Sequence, residues 1–128
     1  MRILRTPDDC FTGLPGFGYT PRYVDVGDLR MAYVEDGPAD GEPVLLLHGE
    51  PSWSFLYRTV IPVLAGAGFR AIAADLIGFG RSDKPAEIGD HSYARHVDWA
   101  ATFAFGQLDL RDLTLVGQDW GGLIGLRL

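Results

Sequence analysis

Three short, mostly apolar runs set the terms on which this chain can fold: Pro43-Val-Leu-Leu-Leu-His48, Arg70-Ala-Ile-Ala-Ala-Asp75 and Asp112-Leu-Thr-Leu-Val-Gly117. Runs this short with no hydrophilic face predict strands covered on both sides, the condition of a parallel sheet. Helical spacing fills the gaps. Phe55, Leu56, Val60 and Leu64 predict a helix over 55–65, with Ser54 as its cap and Gly66 and Gly68 at its end. Pro62 inside that stretch kinks or shortens it. Val97, Ala100, Ala101, Ala104 and Leu108 form one stripe of a helix over 92–108, and residues 121–128 begin another. Strand, helix, strand, helix, strand is the rhythm of an α/β sheet.

Ahead of the first run, Tyr23–Val26 and Leu29–Glu35 alternate around Gly27-Asp28, which predicts an antiparallel hairpin. Gly37-Pro38 and Gly41-Glu42-Pro43 mark a turn. Residues 1–21 hold Pro7, Gly13, Pro15, Gly16 and Gly18 and are expected to be irregular chain laid over a surface, with residues 22–128 forming the folded unit. The expected architecture is a three-layer α/β sandwich around a mixed sheet, of which five strands are present. No internal repeat or low-complexity stretch interrupts this pattern.

Composition narrows the function. With 128 residues, 47% of them hydrophobic, the chain can form one core. A net charge of −6, dispersed along the chain, argues against a nucleic-acid partner, which needs a basic face. The longest apolar runs are too short to cross a bilayer. Cys10 is the only cysteine, so no internal disulfide and no cysteine zinc site is expected. The opening residues Met1–Asp9 contain no apolar h-region. The expectation is a cytoplasmic protein without membrane contact, metal or organic cofactor.

The sharpest motif is Gly117-Gln118-Asp119-Trp120-Gly121, placed between a strand and a helix. It is a glycine–x–nucleophile–x–glycine elbow with Asp where serine esterases carry Ser. The glycines are expected because the turn needs strained backbone angles and leaves no room for bulky flanking side chains. The carboxylate type selects the reaction. Attack on an acyl group would give an anhydride and gain little. Attack on saturated carbon bearing a leaving group gives a stable alkyl ester, which water then opens at the carbonyl carbon. Halides and epoxides are therefore better candidate substrates than esters or amides.

A second loop, His48-Gly49-Glu50-Pro51, follows the first buried strand. In this arrangement the backbone N–H groups of Glu50 and Trp120 are the candidate oxyanion-hole donors. The indole N–H of Trp120, a donor with no acceptor role, suits a departing halide. A third loop, Gly78-Phe79-Gly80-Arg81-Ser82-Asp83-Lys84-Pro85, is read as a tight turn without chemistry. Its Gly78-Phe-Gly80 lacks the third glycine of a dinucleotide fingerprint, since Asp83 stands there.

Three stretches together carry a family likeness: residues His48–Arg58, Asp75–Pro85 and Leu115–Gly122, with Arg5–Phe11 as a fourth similar piece. In matching order and spacing they resemble the haloalkane dehalogenases of the α/β-hydrolase superfamily. The resemblance implies Asp119 as nucleophile, Trp120 as one of two halide donors, Glu50 as an oxyanion-hole donor, and a small halogenated organic molecule and water as reactants. Epoxide hydrolases share the Asp elbow but usually carry an aromatic residue after His-Gly; Glu50 tilts the reading toward dehalogenation. The resemblance also implies a cap, a catalytic acid and a histidine base beyond the elbow. Only nine residues follow Asp119, none acidic and none histidine, so the 128-residue chain alone is expected to be inactive. An epoxide hydrolase and a truncated, non-catalytic remnant stay open as alternatives.

The remaining candidates are plainer. Asp119 as a turn-former or helix cap is the competing structural reading. His48 is expected to be structural, and His91 and His96 to be solvated, with no ligand spacing to Cys10 or a carboxylate cluster. The side chain of Glu50 is expected to turn from Asp119 or to be hydrogen-bonded, because two adjacent carboxylates would raise one pKa.

Overall fold

The computed structural model describes all 128 residues, Met1–Leu128. In chain order the strands and helices are β1 (Ile3–Leu4), β2 (Arg22–Val26), β3 (Leu29–Asp36), β4 (Pro43–Leu47), α1 (Val60–Gly66), β5 (Arg70–Ala74), β6 (Lys84–Pro85), α2 (Tyr93–Ala101), β7 (Thr114–Gly117) and α3 (Trp120–Gly125). Five strands form a mixed sheet in the order β2-β3-β5-β4-β7. β2 and β3 make the expected hairpin, with Val26 opposite Leu29 and Gly27 at φ +64° in the turn. β3 pairs antiparallel with β5, while β4 lies parallel between β5 and β7.

β4 and β5 are buried on both faces because their period-2 alternation feeds two cores. β7, expected to be a third buried strand, is instead the sheet edge. Thr114 and Gly117 are exposed there, and Leu115 and Val116 only partly covered, because no strand pairs on its outer side. Leu45, Leu47, Ile72 and Ala74 face one side, packed with Ala100 and Phe103 from the α2 region and Ile124 from α3. Val44, Leu46, Ala71 and Ala73 face the other, packed with Ile61 of α1. Helices thus cover both faces, giving the three layers. The connection from β4 leads to β5 on one side, and the next connection crosses back to β7 on the other. That reversal opens a crevice at the carboxyl ends of β4 and β7, where ligands of such sheets bind.

Two helical departures from the sequence reading have physical causes. The helix expected over 55–65 is split into a 3-10 turn at Ser54–Tyr57 and α1 from Val60. Pro62 falls in the first turn of α1, where its missing N–H breaks no ladder bond; farther inside a helix its ring would clash with the preceding turn. The helix expected over 92–108 is α-helical to Ala101 and a wider π turn over Thr102–Gln107. That turn buries the consecutive residues Phe103 and Ala104 together, with Phe103 edge-on to Tyr33 at 5.3 Å.

Residues 1–21 are also more ordered in their contacts than their prolines and glycines suggest. β1 pairs antiparallel with β6, and Asp8–Phe11 forms a 3-10 turn. Phe17 is buried against Trp53 and Phe55 at 5.4 and 5.6 Å. Aromatic side chains, the β1–β6 pairing and the Arg5–Asp83 ion pair together attach this segment to the core. No helix is long and apolar enough to cross a membrane.

Candidate active site

β7 ends at Gly117 and α3 starts at Trp120, so the chain turns within Gln118 and Asp119. Asp119 adopts φ 56°, ψ −124°, a conformation L residues rarely hold and one that costs about 1–3 kcal/mol. Bonds from Gly121 N–H to the Gln118 carbonyl (2.9 Å) and from Gly122 N–H to the Asp119 carbonyl (3.0 Å) hold it there. The strained angle therefore sits on the aspartate itself, not on its flanking glycines. The glycines supply clearance. A Cβ at position 121 would come within 2.5 Å of the His48 carbonyl oxygen, and one at Gly49 within 2.6 Å of Asp119 Oδ2. Asp119 occupies the N-cap position of α3, yet its side chain makes no capping bond, which removes the helix-cap reading.

The carboxylate is exposed and turned to the loop after β4: Oδ2 accepts the Glu50 N–H at 3.0 Å. The N–H groups of Glu50 and then Trp120 hold its pKa below the usual carboxylate range, against a small opposing effect of desolvation. The Glu50 carboxylate is not among the influences on Asp119, and Glu50 is exposed. Of the two backbone donors named from the sequence, the Glu50 N–H is bonded to the Asp119 carboxylate.

His48 is 0% exposed. Its Nε2 accepts the Leu76 N–H at 2.9 Å, and its Nδ1 lies 2.9 Å from the Gly49 carbonyl oxygen, which only a protonated Nδ1 can satisfy. Burial lowers its pKa, opposed by the Gly49 carbonyl and the charge of Asp75. With both nitrogens engaged, His48 has no free lone pair to receive a proton from water.

The third loop, read from sequence as a plain turn, is a buried polar frame. Asp75 accepts the Ser54 N–H on Oδ1 (2.8 Å) and the Arg81 N–H on Oδ2 (3.0 Å). Ser82 Oγ donates to the Asp75 carbonyl (2.6 Å) and accepts the Ala32 N–H (2.8 Å). Asp83, fully buried, accepts the Arg30 N–H and pairs with Arg5. Burial pushes the Asp83 carboxyl up, but the Arg5 bond and the Arg30 N–H outweigh it and leave the pKa low. Only Asp75 stands directly beyond β5; Ser82 and Asp83 join it from the far side of the loop.

A cleft of about 340 Å³ opens beside the elbow, walled by Glu50, Phe79, His91, Tyr93, His96 and Trp120 among others. Trp120 is 43% exposed, its ring 6.2 Å from that of Tyr93. The expectation that His91 and His96 are solvated is corrected here: both are half-buried in this wall. His91 Nε2 meets the Pro85 carbonyl at 2.9 Å and its Nδ1 meets His96 Nε2 at 3.1 Å. The rings stack, and His96 lies edge-on to Trp99 at 4.9 Å. Burial and the neighbouring His91 lower the pKa of His96 to about 4. The helical stripe alone did not show that the loop before α2 folds His91 back over it. No group of three or more His, Cys, Asp or Glu side chains converges to hold a metal ion.

Residues 42–128 match the family model described as alpha/beta hydrolase fold. The whole chain is 57% identical to a protein named haloalkane dehalogenase from Psychrobacter cryohalolentis, and 59% identical to one named haloalkane dehalogenase 1 from Mycobacterium tuberculosis. It spans 44% of the length of each. Among solved structures, a tetrameric haloalkane dehalogenase from Paraglaciecola agarilytica superposes with a TM-score of 0.94 at 48% identity, over 100% of this chain and 44% of that one. An epoxide hydrolase from Vigna radiata superposes with a TM-score of 0.79 at 32% identity, over 86% and 35% of the two chains.

Proposed function

This chain belongs to the alpha/beta hydrolase fold family, and on that premise we propose that it carries the nucleophile half of a hydrolase that cleaves carbon–halogen bonds. The observation that carries the reading is the exposed, acidic Asp119 held at a strained turn with a backbone N–H on one of its two oxygens. The higher identity to proteins named haloalkane dehalogenase than to the epoxide hydrolase supports it.

In the proposed reaction Asp119 Oδ1 attacks the saturated carbon. The new O–C bond forms as the C–halogen bond breaks, and the halide leaves with the bonding electrons toward the indole N–H of Trp120. Oδ2, held by Glu50 N–H, becomes the carbonyl oxygen of the ester. Water then adds at Cγ, and the negative charge gathers on Oδ2 under the N–H groups of Glu50 and Trp120. Collapse expels the alcohol oxygen and restores the carboxylate. The water must lose a proton to a base. His48 is unavailable, and we place the base and its orienting acid in the part of the relatives that this chain does not span. Residues 1–128 alone are accordingly expected to show no turnover. Residues 22–128 serve as the opening part of the catalytic core, with residues 1–21 strapped across it. The proposal includes a cytoplasmic setting with water and a small halogenated organic molecule as reactants, without nucleic acid or membrane.

The test is incubation of the full gene product with a bromoalkane and, separately, with an epoxide. Halide release, together with an alkyl adduct trapped on the Asp119 peptide by mass spectrometry, is the expected result. Diol formation from the epoxide without halide release would move the reading to an epoxide hydrolase, and an absence of both products would leave a non-catalytic chain.

A further inference from the structure

We infer that His48 is a positioning residue for Asp119, acting through the peptide unit shared by Gly49 and Glu50. The inference rests on the reading of Asp119 as nucleophile for its chemical consequence, but not for its geometry. The carbonyl of that peptide belongs to Gly49 and the N–H to Glu50, so the two groups are opposite ends of one planar unit. His48 Nδ1 donates to the carbonyl at 2.9 Å, and the N–H donates to Asp119 Oδ2 at 3.0 Å. A donor on the carbonyl draws electron density toward oxygen and makes the N–H at the other end a better donor. Together with the Ser52 N–H, which donates to the same carbonyl at 2.9 Å, it also fixes the rotation of the plane, and hence the aim of the N–H.

The site of the proton on His48 is itself dictated. Leu76 N–H can only donate, and it lies 2.9 Å from Nε2, so Nε2 is bare and the proton resides on Nδ1. A continuous relay results, from Leu76 N–H through the imidazole and the Gly49–Glu50 peptide to the carboxylate. It connects the ends of β5, β4 and β7, with no solvent exposure at the imidazole. Gly49 lets the peptide approach this closely, since a Cβ there would lie 2.6 Å from Oδ2. Because the relay grips Oδ2, the oxygen that carries charge during ester hydrolysis, His48 acts on that step more than on displacement of the halide.

The test uses the full gene product and the variants His48→Asn and His48→Gln. The Asn carboxamide reaches the place of Nδ1 and can donate to the Gly49 carbonyl; the Gln carboxamide reaches the place of Nε2 and cannot. In the native protein, ¹⁵N NMR is expected to show His48 as the neutral Nδ1–H tautomer at neutral pH. In His48→Gln the pKa of Asp119, followed by ¹³C NMR, is expected to rise toward the ordinary carboxylate range, and ester hydrolysis in single turnover to slow by about tenfold or more with the alkylation burst retained. His48→Asn is expected to stay near the native protein in both. An Nε2–H tautomer, an imidazolium at neutral pH, or equal effects of Asn and Gln would overturn the proposal. If neither variant folds, the tautomer in the native protein decides. Asp119 acidity that follows the variants in a protein releasing no halide would sink the dehalogenation reading and keep the positioning role. Normal halide release with unchanged Asp119 acidity in His48→Gln would do the reverse.

Discussion

Two aspartates stand at the ends of strands that flank β4, and both are gripped by the loop that follows β4. Asp75, directly after β5, takes the Ser54 N–H; Asp119, just past β7, takes the Glu50 N–H. The partners are chemically alike, yet the two carboxylates differ in every other respect. Asp75 is 1% exposed, and its second oxygen is tied to Arg81 N–H. Asp119 is exposed, with its backbone in a strained conformation. Backbone N–H donors hold a carboxylate in place in both cases. Access and strain are what set the proposed reagent apart from the frame.

The sharpest way to break this contrast is to remove each acid in turn. Asp119→Asn in the full gene product is expected to lower halide release by about 10⁴-fold or more, with no alkyl adduct found by mass spectrometry. Asp75→Asn places an N–H₂ against backbone donors and is expected to destabilise the fold by about 1–3 kcal/mol in denaturant titrations, with residual halide release in the molecules that stay folded. Equal losses of activity at matched folded fraction would erase the distinction between frame and reagent.

Gly49 lies between the two roles. Gly49→Ala drives a methyl group against Asp119, and the elbow or the loop must yield. The expected outcome is a loss of about 1–3 kcal/mol in stability, and about 10²-fold in halide release from misplaced reacting groups. A fully active Gly49→Ala variant would show that the close approach is not needed.

Acid titration separates the buried frame further. His96 is neutral in the fold, with a pKa of about 4 against an ordinary value near 6.5. The unfolded chain binds the proton first as pH falls, so stability declines from about pH 6.5 toward 4, by at most about 1.4 kcal/mol per pH unit. His96→Gln should flatten that slope. Asp83 acts lower. Its depressed pKa gives a contribution fully present above the ordinary carboxylate value of about 3.9 and lost as pH falls through the folded-state value. Asp83→Asn should therefore narrow the gap to the native protein only below about pH 4. Denaturant midpoints measured across this range check both, and the same slope in native and variant proteins would refute the assignment.

Much of this arrangement is legible in the residues themselves. Val44–Leu47 and Ala71–Ala74 announce buried strands because every side chain in them is apolar, and Gly117–Gly121 announces the elbow because an acid between glycines after a strand has few other uses. What stayed hidden depends on contacts across the chain. The role of Asp75, Ser82 and Asp83 arises from N–H groups at Ala32, Arg30 and Ser54, which no local pattern connects to them. The burial of His91 follows from its fold-back onto Pro85. Of the two roles read for the elbow glycines, clearance holds, for Gly121 against Leu47 and His48, while the strained angle falls on Asp119 instead.

The carboxylate at position 119 and the amide that steadies it are 69 residues apart along the chain. They meet only when β7 has zipped alongside β4, so the acidity of that one side chain is a local readout of a long-range event. A nascent or partly unfolded chain would carry an ordinary aspartate there, and the depressed proton affinity would emerge together with the docked strand. The proposed nucleophile thus doubles as an internal gauge of whether the edge strand β7 has docked beside β4.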